Sequence, residues 1–218
     1  VELQRVSHWY CLLLLLWVSG KQSKKGVPRT TTYEEDQCNF MYQNASAAVK
    51  TNGKIYVKRQ NFNSSLPPLC DSAERVAALN DTFYIFTLAA VLPTNETFVV
   101  KFNTSFVLSR TGNHTTYNAM TYMYETTQPP KLRKLMYMND NKTCMIFIDD
   151  RNSTAQEPRC QLLQPAEYID EKVPDECQEV YDKQCPGLNI TVYYPKCKNL
   201  TEVSIHDYIK SLPKPKAC

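Results

Sequence analysis

Cysteine is the residue type that this sequence uses most clearly for chemistry. Nine cysteines are present, and Cys11 lies in a short apolar run near the first residue. The other eight are Cys38, Cys70, Cys144, Cys160, Cys177, Cys185, Cys197 and Cys218. An even number of cysteines in an exported chain is typical of a disulfide framework, whose connectivity the sequence alone does not choose. A metal site is less favoured, because no close Cys-x-x-Cys pair occurs and histidine is scarce.

Residue sets for catalysis are missing from the sequence. It has three histidines, and after the N-terminal run only His114 and His206 remain. No nucleophile elbow, HExxH motif, P-loop or close carboxylate pair occurs. We therefore expect a binding protein with no enzymatic activity, no cofactor and no metal. The mild net charge of +3 does not indicate a nucleic-acid partner.

The N-terminal residues are typical of a secretory signal. Arg5 and His8 precede the apolar run 10–18, and small residues follow at Ser19 and Gly20. We predict a signal peptide over residues 1–20. The run is too short to span a bilayer, and no longer one follows, so we expect a secreted protein without a membrane segment.

Asn-x-Ser/Thr sequons are dense in the chain. Their asparagines are Asn44, Asn63, Asn80, Asn95, Asn103, Asn113, Asn141, Asn152, Asn189 and Asn199. Ten sequons predict a secreted glycoprotein, and each glycosylated asparagine must face solvent. The sequons therefore indicate which strand faces point outward.

Strand patterns dominate the middle of the chain. A polar segment over 21–37 is interpreted as a flexible leader, and a short helix is predicted over 38–51. Eight strand candidates follow, over 54–62, 75–79, 83–92, 98–108, 117–124, 132–138, 144–148 and 160–163. A helix that starts after Pro174 and a Tyr-rich strand over 192–197 complete a domain over 38–200, with a tail over 201–218. Evenly spaced strands with polar turns indicate an all-β barrel or sandwich.

Two sequons predict which side chains face the interior. Asn103 must face outward, so the alternate residues Phe98, Val100 and Phe102 are expected to face inward. Asn63 gives the same argument for the first strand, where the inward residues are then Tyr56, Lys58, Gln60 and Phe62. For the strand that holds Tyr122 either face fits. Aromatic inner faces are compatible with a ligand cavity or with a filled core.

The first strand and the cysteine-rich C-terminal region together resemble a known family. Residues 52–62 read Asn-Gly-Lys-Ile-Tyr-Val-Lys-Arg-Gln-Asn-Phe and are followed by Cys70. Later come Cys160-Gln161-Leu162-Leu163, Val173-Pro174 to Cys177, and Cys185-Pro186-Gly187. Over residues 38–197 the chain resembles the tick salivary lipocalins, the histamine-binding protein family. The resemblance implies an eight-stranded antiparallel lipocalin barrel, disulfide-linked, with a C-terminal helix and a short N-terminal helix.

The same resemblance implies a disulfide connectivity. Two pairs tie the barrel to the C-terminal region, Cys70–Cys197 and Cys144–Cys177. Cys160–Cys185 is the third pair, which leaves Cys38–Cys218 as the fourth.

The family resemblance also directs attention to the ligand. Amine binders of the family hold the amine with inward carboxylates, one of them in a Glu-Leu-Trp sequence where this chain has Gln161-Leu162-Leu163. Glu74, Glu125 and Asp149 are the remaining carboxylate candidates. For a fatty acid or leukotriene, an inward Lys58, or Arg59 or Arg133 at the mouth, would hold the acid, although Lys58 also fits a solvated surface position. The predicted ligand-binding residues are Tyr56, Lys58, Phe62, Phe98, Val100, Phe102, Tyr122, Gln161 and Leu163.

The resemblance implies a monomeric protein, secreted in saliva, that sequesters a small host mediator and so evades host defence. The mediator is histamine or another biogenic amine, or a leukotriene or fatty acid. The alternative is a lipocalin-fold inhibitor that binds a host protein, such as a complement component, through its loops. Ten sequons argue against large exposed contact faces, which disfavours this alternative.

Overall fold

Short runs of β-branched and aromatic residues form the strands of a closed barrel. The structure is a computed structural model, and it describes residues 31–64, 68–93, 95–124, 126 and 128–213. The barrel strands are β1 (Lys54–Gln60), β2 (Ser72–Ala78), β3 (Phe83–Leu92), β4 (Asn95–Ser109), β5 (Ala119–Tyr122), β6 (Lys131–Met138), β7 (Met145–Asp149) and β8 (Cys160–Pro165). Each pairs antiparallel with the next, and β8 pairs with β1 to close the barrel. The predicted eight-stranded antiparallel barrel is confirmed.

The two ends of the barrel differ. Because successive strands run in opposite directions, the C-terminal ends of β1, β3, β5 and β7 lie at one end, which we call the open end. At the opposite, closed end helix α1 (Ala45–Ala48) packs into the barrel core, and two 3₁₀ turns, Tyr33–Glu35 and Gln37–Tyr42, precede it. Gln43 donates from Nε2 to the Met136 carbonyl at 3.0 Å, and Ala45 N donates to the Tyr117 carbonyl at 2.8 Å. These bonds fix the N-terminal turns to β6 and to the chain before β5.

The predicted flexible leader over 21–37 is too long at its C-terminal end. Glu34 is fully buried, and Arg151 Nε lies 2.7 Å from its Oε1. Lys134 Nζ lies 2.7 Å from Glu35 Oε1. The acidic residues looked solvated in the sequence, but their charges are matched by cations of the barrel. The leader before residue 31 lies outside the described residues.

The C-terminal region packs on the outer surface of the barrel. Helix α2 (Asp175–Gln184) begins directly after Pro174, and its Cys177 and Tyr181 are buried. Strand β9 (Ile190–Thr191) pairs with β1. The Tyr-rich strand predicted over 192–197 is wrong: the strand ends at Thr191, and a 3₁₀ turn occupies Pro195–Asn199.

Three of the predicted disulfides are present, Cys70–Cys197, Cys144–Cys177 and Cys160–Cys185. They link the start of β2 and strands β7 and β8 to the C-terminal region. The fourth predicted pair includes Cys218, which lies outside the described residues.

Two further elements follow the last described cysteine. Strand β10 (Thr201–Ser204) pairs parallel with the first half of β4, and helix α3 (Ile205–Ser211) follows it directly. The side chain of Ser204 caps α3 by accepting from Asp207 N at 3.1 Å. The sequence was interpreted here only as a tail. No helix in the described part of the chain is long and apolar enough to cross a membrane.

Candidate functional site

A chamber of about 270 Å³ lies inside the barrel. Every barrel strand contributes side chains to its wall, and Ala48 and Val49 face it from the closed end. Most of the wall is apolar, with Phe86, Phe102, Phe106, Met120, Met145 and Phe147 among the large side chains. Phe86, Phe106 and Tyr122 stack in a row, with ring centroids 4.3 and 4.1 Å apart. Such a wall suits a ligand with a large apolar part.

The inward face of β1 differs from the prediction. Ile55 and Val57 line the chamber, whereas Tyr56 packs outward with its ring centroid 5.2 Å from that of Tyr193. Lys58 also lies outside the chamber and donates to the Ile169 carbonyl at 2.8 Å. The cause is an irregular register between Val57 and Arg59, where β1 carries an extra residue opposite β8. The argument from Asn63 is therefore wrong by one residue in the first half of β1: it predicted that the outward residues Tyr56 and Lys58 face inward.

Strand β4 faces inward as the sequon at Asn103 predicted. Val100 and Phe102 line the chamber, and Asn103 is exposed. Phe98 lies on the same face but does not line the chamber, because its ring contacts Tyr208 of α3 at 6.0 Å between centroids. Tyr122 lines the chamber, which decides between the two faces that the sequence left open for β5.

Gln161 and Leu163 of β8 line the chamber, where the resemblance placed them. Phe62 instead lies in a second pocket of about 220 Å³, whose wall also includes Lys131, Asp149 and Arg159. The guanidinium of Arg159 lies 4.1 Å from the centre of the Phe62 ring. Contact of any of these residues with a ligand stays a prediction.

Arg133 is the buried cation of the chamber wall. It is 4% exposed, and its Nη1 donates to the Tyr122 hydroxyl at 3.0 Å and to Gln161 Oε1. Its Nε lies 2.9 Å from Asp149 Oδ1. Both Nε, despite this ion pair, and Nη2 are buried and make no hydrogen bond among the described residues. Burial alone would lower the pKa of Arg133, but Tyr122 and Asp149 outweigh it and hold that pKa above its ordinary value, so the guanidinium stays charged.

A chain of hydrogen bonds runs from Arg133 to a carboxylate. Gln161 accepts from Arg133 and donates from Nε2 to Gln60 Oε1 at 2.9 Å and to the Tyr124 hydroxyl at 3.2 Å. Tyr124 in turn donates to Asp71 Oδ2 at 2.6 Å. Burial and the nearby Asp71 raise the pKa of Tyr124 well above its ordinary value, so its hydroxyl stays a donor. The chamber thus holds a cation and an anion joined through two neutral side chains.

The other charged candidates that lie within the described residues do not reach the chamber. Glu74 is exposed on β2, and Asp149 lies between Arg133 and Arg159 in the wall of the second pocket. Arg59 points outward to α2, where it donates to Gln178 and lies 5.5 Å from the ring centre of Tyr181. Glu125 lies outside the described residues. The chamber carboxylate is instead Asp71, which the sequence interpretation missed.

The sequons are compatible with glycosylation at most positions. Eight of their asparagines are exposed, namely Asn63, Asn80, Asn103, Asn113, Asn141, Asn152, Asn189 and Asn199. Asn44 is half-buried, because its side chain accepts from Ala47 N as the cap of α1. The side chain of Asn95 is not among those described. Within the described residues, no group of three or more metal-ligating side chains occurs.

Comparison with known proteins identifies similar sequences and folds. A family model described as tick histamine binding protein matches residues 33–199. Japanin from Rhipicephalus appendiculatus, solved with bound cholesterol, has a similar fold at a TM-score of 0.50 and 12% identity, over 68% of this chain and 96% of that chain. Insecticyanin from the tobacco hornworm Manduca sexta is similar at a TM-score of 0.53 and 10% identity, over 73% and 86%. The comparison with curated proteins found no match.

Proposed function

Because the chain belongs to the tick histamine binding protein family, a group with the lipocalin fold, we propose that it sequesters a small host mediator in its barrel. The mediator we propose is an amphiphile with an acidic head group and an apolar body, as in a fatty acid or a leukotriene. The acid would bind at Arg133 and the apolar body along the aromatic wall.

The buried Nη2 of Arg133 is the observation that carries this proposal. A buried guanidinium N–H without a partner is costly, because the group has lost its water and gained nothing in exchange. Arg133 lines both the chamber and the second pocket, and an anionic group bound beside it is the partner that we propose for that N–H. A carboxylate matches the planar guanidinium better than a neutral acceptor does.

The surroundings of Arg133 support an acid over a neutral lipid. Asp149 offsets the charge of Arg133 from the side of the second pocket, while Tyr122 and Gln161 accept hydrogen bonds from Nη1. These three contacts hold the guanidinium plane in one orientation. A ligand carboxylate would therefore meet a donor that needs little reorganisation, which favours binding.

An amine ligand is the second candidate, and Asp71 is the observation that favours it. Its carboxylate lines the chamber and is 7% exposed. An amine bound there would have a counter-ion, with Tyr122 and Tyr124 as aromatic neighbours. Gln161 would accept a hydrogen bond but would not neutralise the ammonium ion.

We propose that the protein does this outside the cell, in saliva, as a monomeric glycoprotein that evades host defence. Three disulfides and eight exposed sequon asparagines support an extracellular site. The chamber supports a small-molecule ligand more than a protein partner such as a complement component. No catalytic role is proposed.

Calorimetric titration with oleic acid, histamine and serotonin tests the proposed ligand class. We expect oleic acid to bind at micromolar concentration or below, and both amines to bind at least tenfold more weakly. Asp71→Asn should leave oleic acid binding intact. If an amine binds more tightly than oleic acid and Asp71→Asn abolishes that binding, the acid proposal is wrong and the amine candidate replaces it.

A further inference from the structure

The C-terminal segment formed by β10 and α3 lies beyond the part of the chain that resembles the family. The family model ends at residue 199, whereas β10 begins at Thr201. The segment is nevertheless built into the barrel. The strand pairs with β4 from Phe98 to Lys101, and Glu202 forms ion pairs with Lys101 at 2.8 Å and with Lys54.

The short β5 explains why β10 has room beside β4. Strand β4 runs over Asn95–Ser109, but β5 pairs only with its residues Val107 to Ser109. Among the described elements, β10 is the neighbour of β4 at the start of the strand, on the edge that β5 leaves uncovered. The C-terminal segment thus extends the barrel wall near the open end.

Helix α3 turns from this edge toward the interior. Ile205, its first residue, lines the chamber together with Leu92 and Val100. Tyr208, one turn later on the same side of the helix, contacts the ring of Phe98. Phe98 shares the inward face of β4 with Val100, so α3 lies over the inner side of the first residues of β4.

We propose that β10 and α3 complete the binding site, and that Ile205 is a specificity-determining residue that contacts the apolar part of the ligand and slows its release. The side chain of Ile205 adds apolar area to the chamber wall near the open end, in addition to the area that the barrel strands supply. This inference rests on ligand binding in the chamber, but it does not require the ligand to be an acid.

Ile209 provides a matched control within the same helix. It is 59% exposed and does not line the chamber. Replacing either isoleucine by alanine makes the same chemical change within the same helix. A difference between the two variants therefore reports contact with the ligand.

Stopped-flow release of two fluorescent probes tests the inference. cis-Parinaric acid carries a carboxylate, and N-phenyl-1-naphthylamine is a neutral apolar probe. We expect Ile205→Ala to release both probes about tenfold faster, the effect of losing about 1.4 kcal/mol of apolar contact. Ile205→Val should act in the same direction by a smaller factor, which keeps the test valid if the alanine variant folds poorly. Ile209→Ala should stay within twofold of the unsubstituted protein.

The two probes separate this inference from the proposed ligand class. Faster release of both probes from Ile205→Ala, with no preference of the unsubstituted protein for the acid, would support the role of Ile205 and overturn the acid head group. Equal release rates for Ile205→Ala and Ile209→Ala would overturn the role of Ile205, whatever the chamber prefers. If neither probe binds the unsubstituted protein, both proposals are wrong.

Discussion

The hydroxyl of Tyr124 donates to Asp71 with 2.6 Å between the two oxygen atoms, and both side chains line the chamber. Burial, together with the carboxylate, raises the pKa of Tyr124 well above its ordinary value. The hydrogen bond therefore depends on a proton that the folded protein retains in alkali.

Alkaline unfolding tests this bond. The unfolded chain loses the Tyr124 proton above its ordinary pKa of about 10, while the folded chain keeps it, so stability present below that pH is lost as pH rises. Between pH 10 and 11 the unsubstituted protein should lose about 1 kcal/mol more unfolding free energy than Tyr124→Phe does, because the unfolded tyrosine is still half protonated at pH 10. Urea unfolding across this range measures it. Parallel pH profiles for the two proteins would contradict a retained proton.

Gly112 is expected to tolerate alanine less well than Gly53 does. It has φ of +52°, and a Cβ atom there would lie 2.0 Å from Glu35 Oε2. Gly53 has φ of +73° and open space around its Cβ position, so alanine at Gly53 measures the cost of the backbone conformation alone. We expect Gly53→Ala to cost about 1–2 kcal/mol of unfolding free energy and Gly112→Ala clearly more, because Glu35 must also leave Lys134. Equal costs in urea unfolding would contradict this prediction, because they would show that Glu35 moves away from residue 112 at little cost.

The buried ion pair of Glu34 with Arg151 should contribute more to the free energy of unfolding than a surface pair does. Glu34→Ala leaves Arg151, whose side chain is 8% exposed, without this carboxylate and should cost about 3–5 kcal/mol. Glu179→Ala breaks the exposed pair with Lys183 and should cost under about 0.5 kcal/mol. Thermal unfolding of the two variants compares them. A Glu34 variant as stable as the Glu179 variant would contradict the docking of the N-terminal turns.

The Cys70–Cys197 disulfide should stabilise the fold more than Cys160–Cys185 does. The two links join residues 127 and 25 positions apart, respectively. In the chain-entropy model, removal of the long link by paired serine substitution costs about 5 kcal/mol, and removal of the short one costs about 3.5 kcal/mol. Denaturant unfolding of both double variants gives the order. The reverse order would mean that local packing, and not loop closure, sets the cost.

The barrel could be predicted from the sequence because strand spacing and sequons are local signals. Asn103 fixed the face of β4, since that strand is regular on either side of it. Asn63 misled for β1, because an extra residue near Lys58 reverses the alternation between Tyr56 and Gln60. A bulge of this kind depends on the partner strand and leaves little trace in the sequence of β1 itself.

The charged residues of the chamber were harder to predict. Strand β6 is buried on both faces, because α2 and the N-terminal turns cover its outer side, so alternation does not reveal that Arg133 points inward. Asp71 directly follows Cys70, whose φ of 59° redirects the chain before β2. The C-terminal elements were missed because a four-residue strand and a seven-residue helix are too short for a periodic signal.

The comparison of oleic acid with its methyl ester tests the central claim most directly. The two ligands share the apolar chain, so their difference in affinity reports the recognition of the carboxylate. We predict by calorimetry that the acid binds at least tenfold more tightly than the ester, and that Arg133→Met reduces this preference to within twofold. Equal affinities for acid and ester in the unsubstituted protein, or a preference that survives in Arg133→Met, would contradict the assignment of Arg133 as the acid-binding residue.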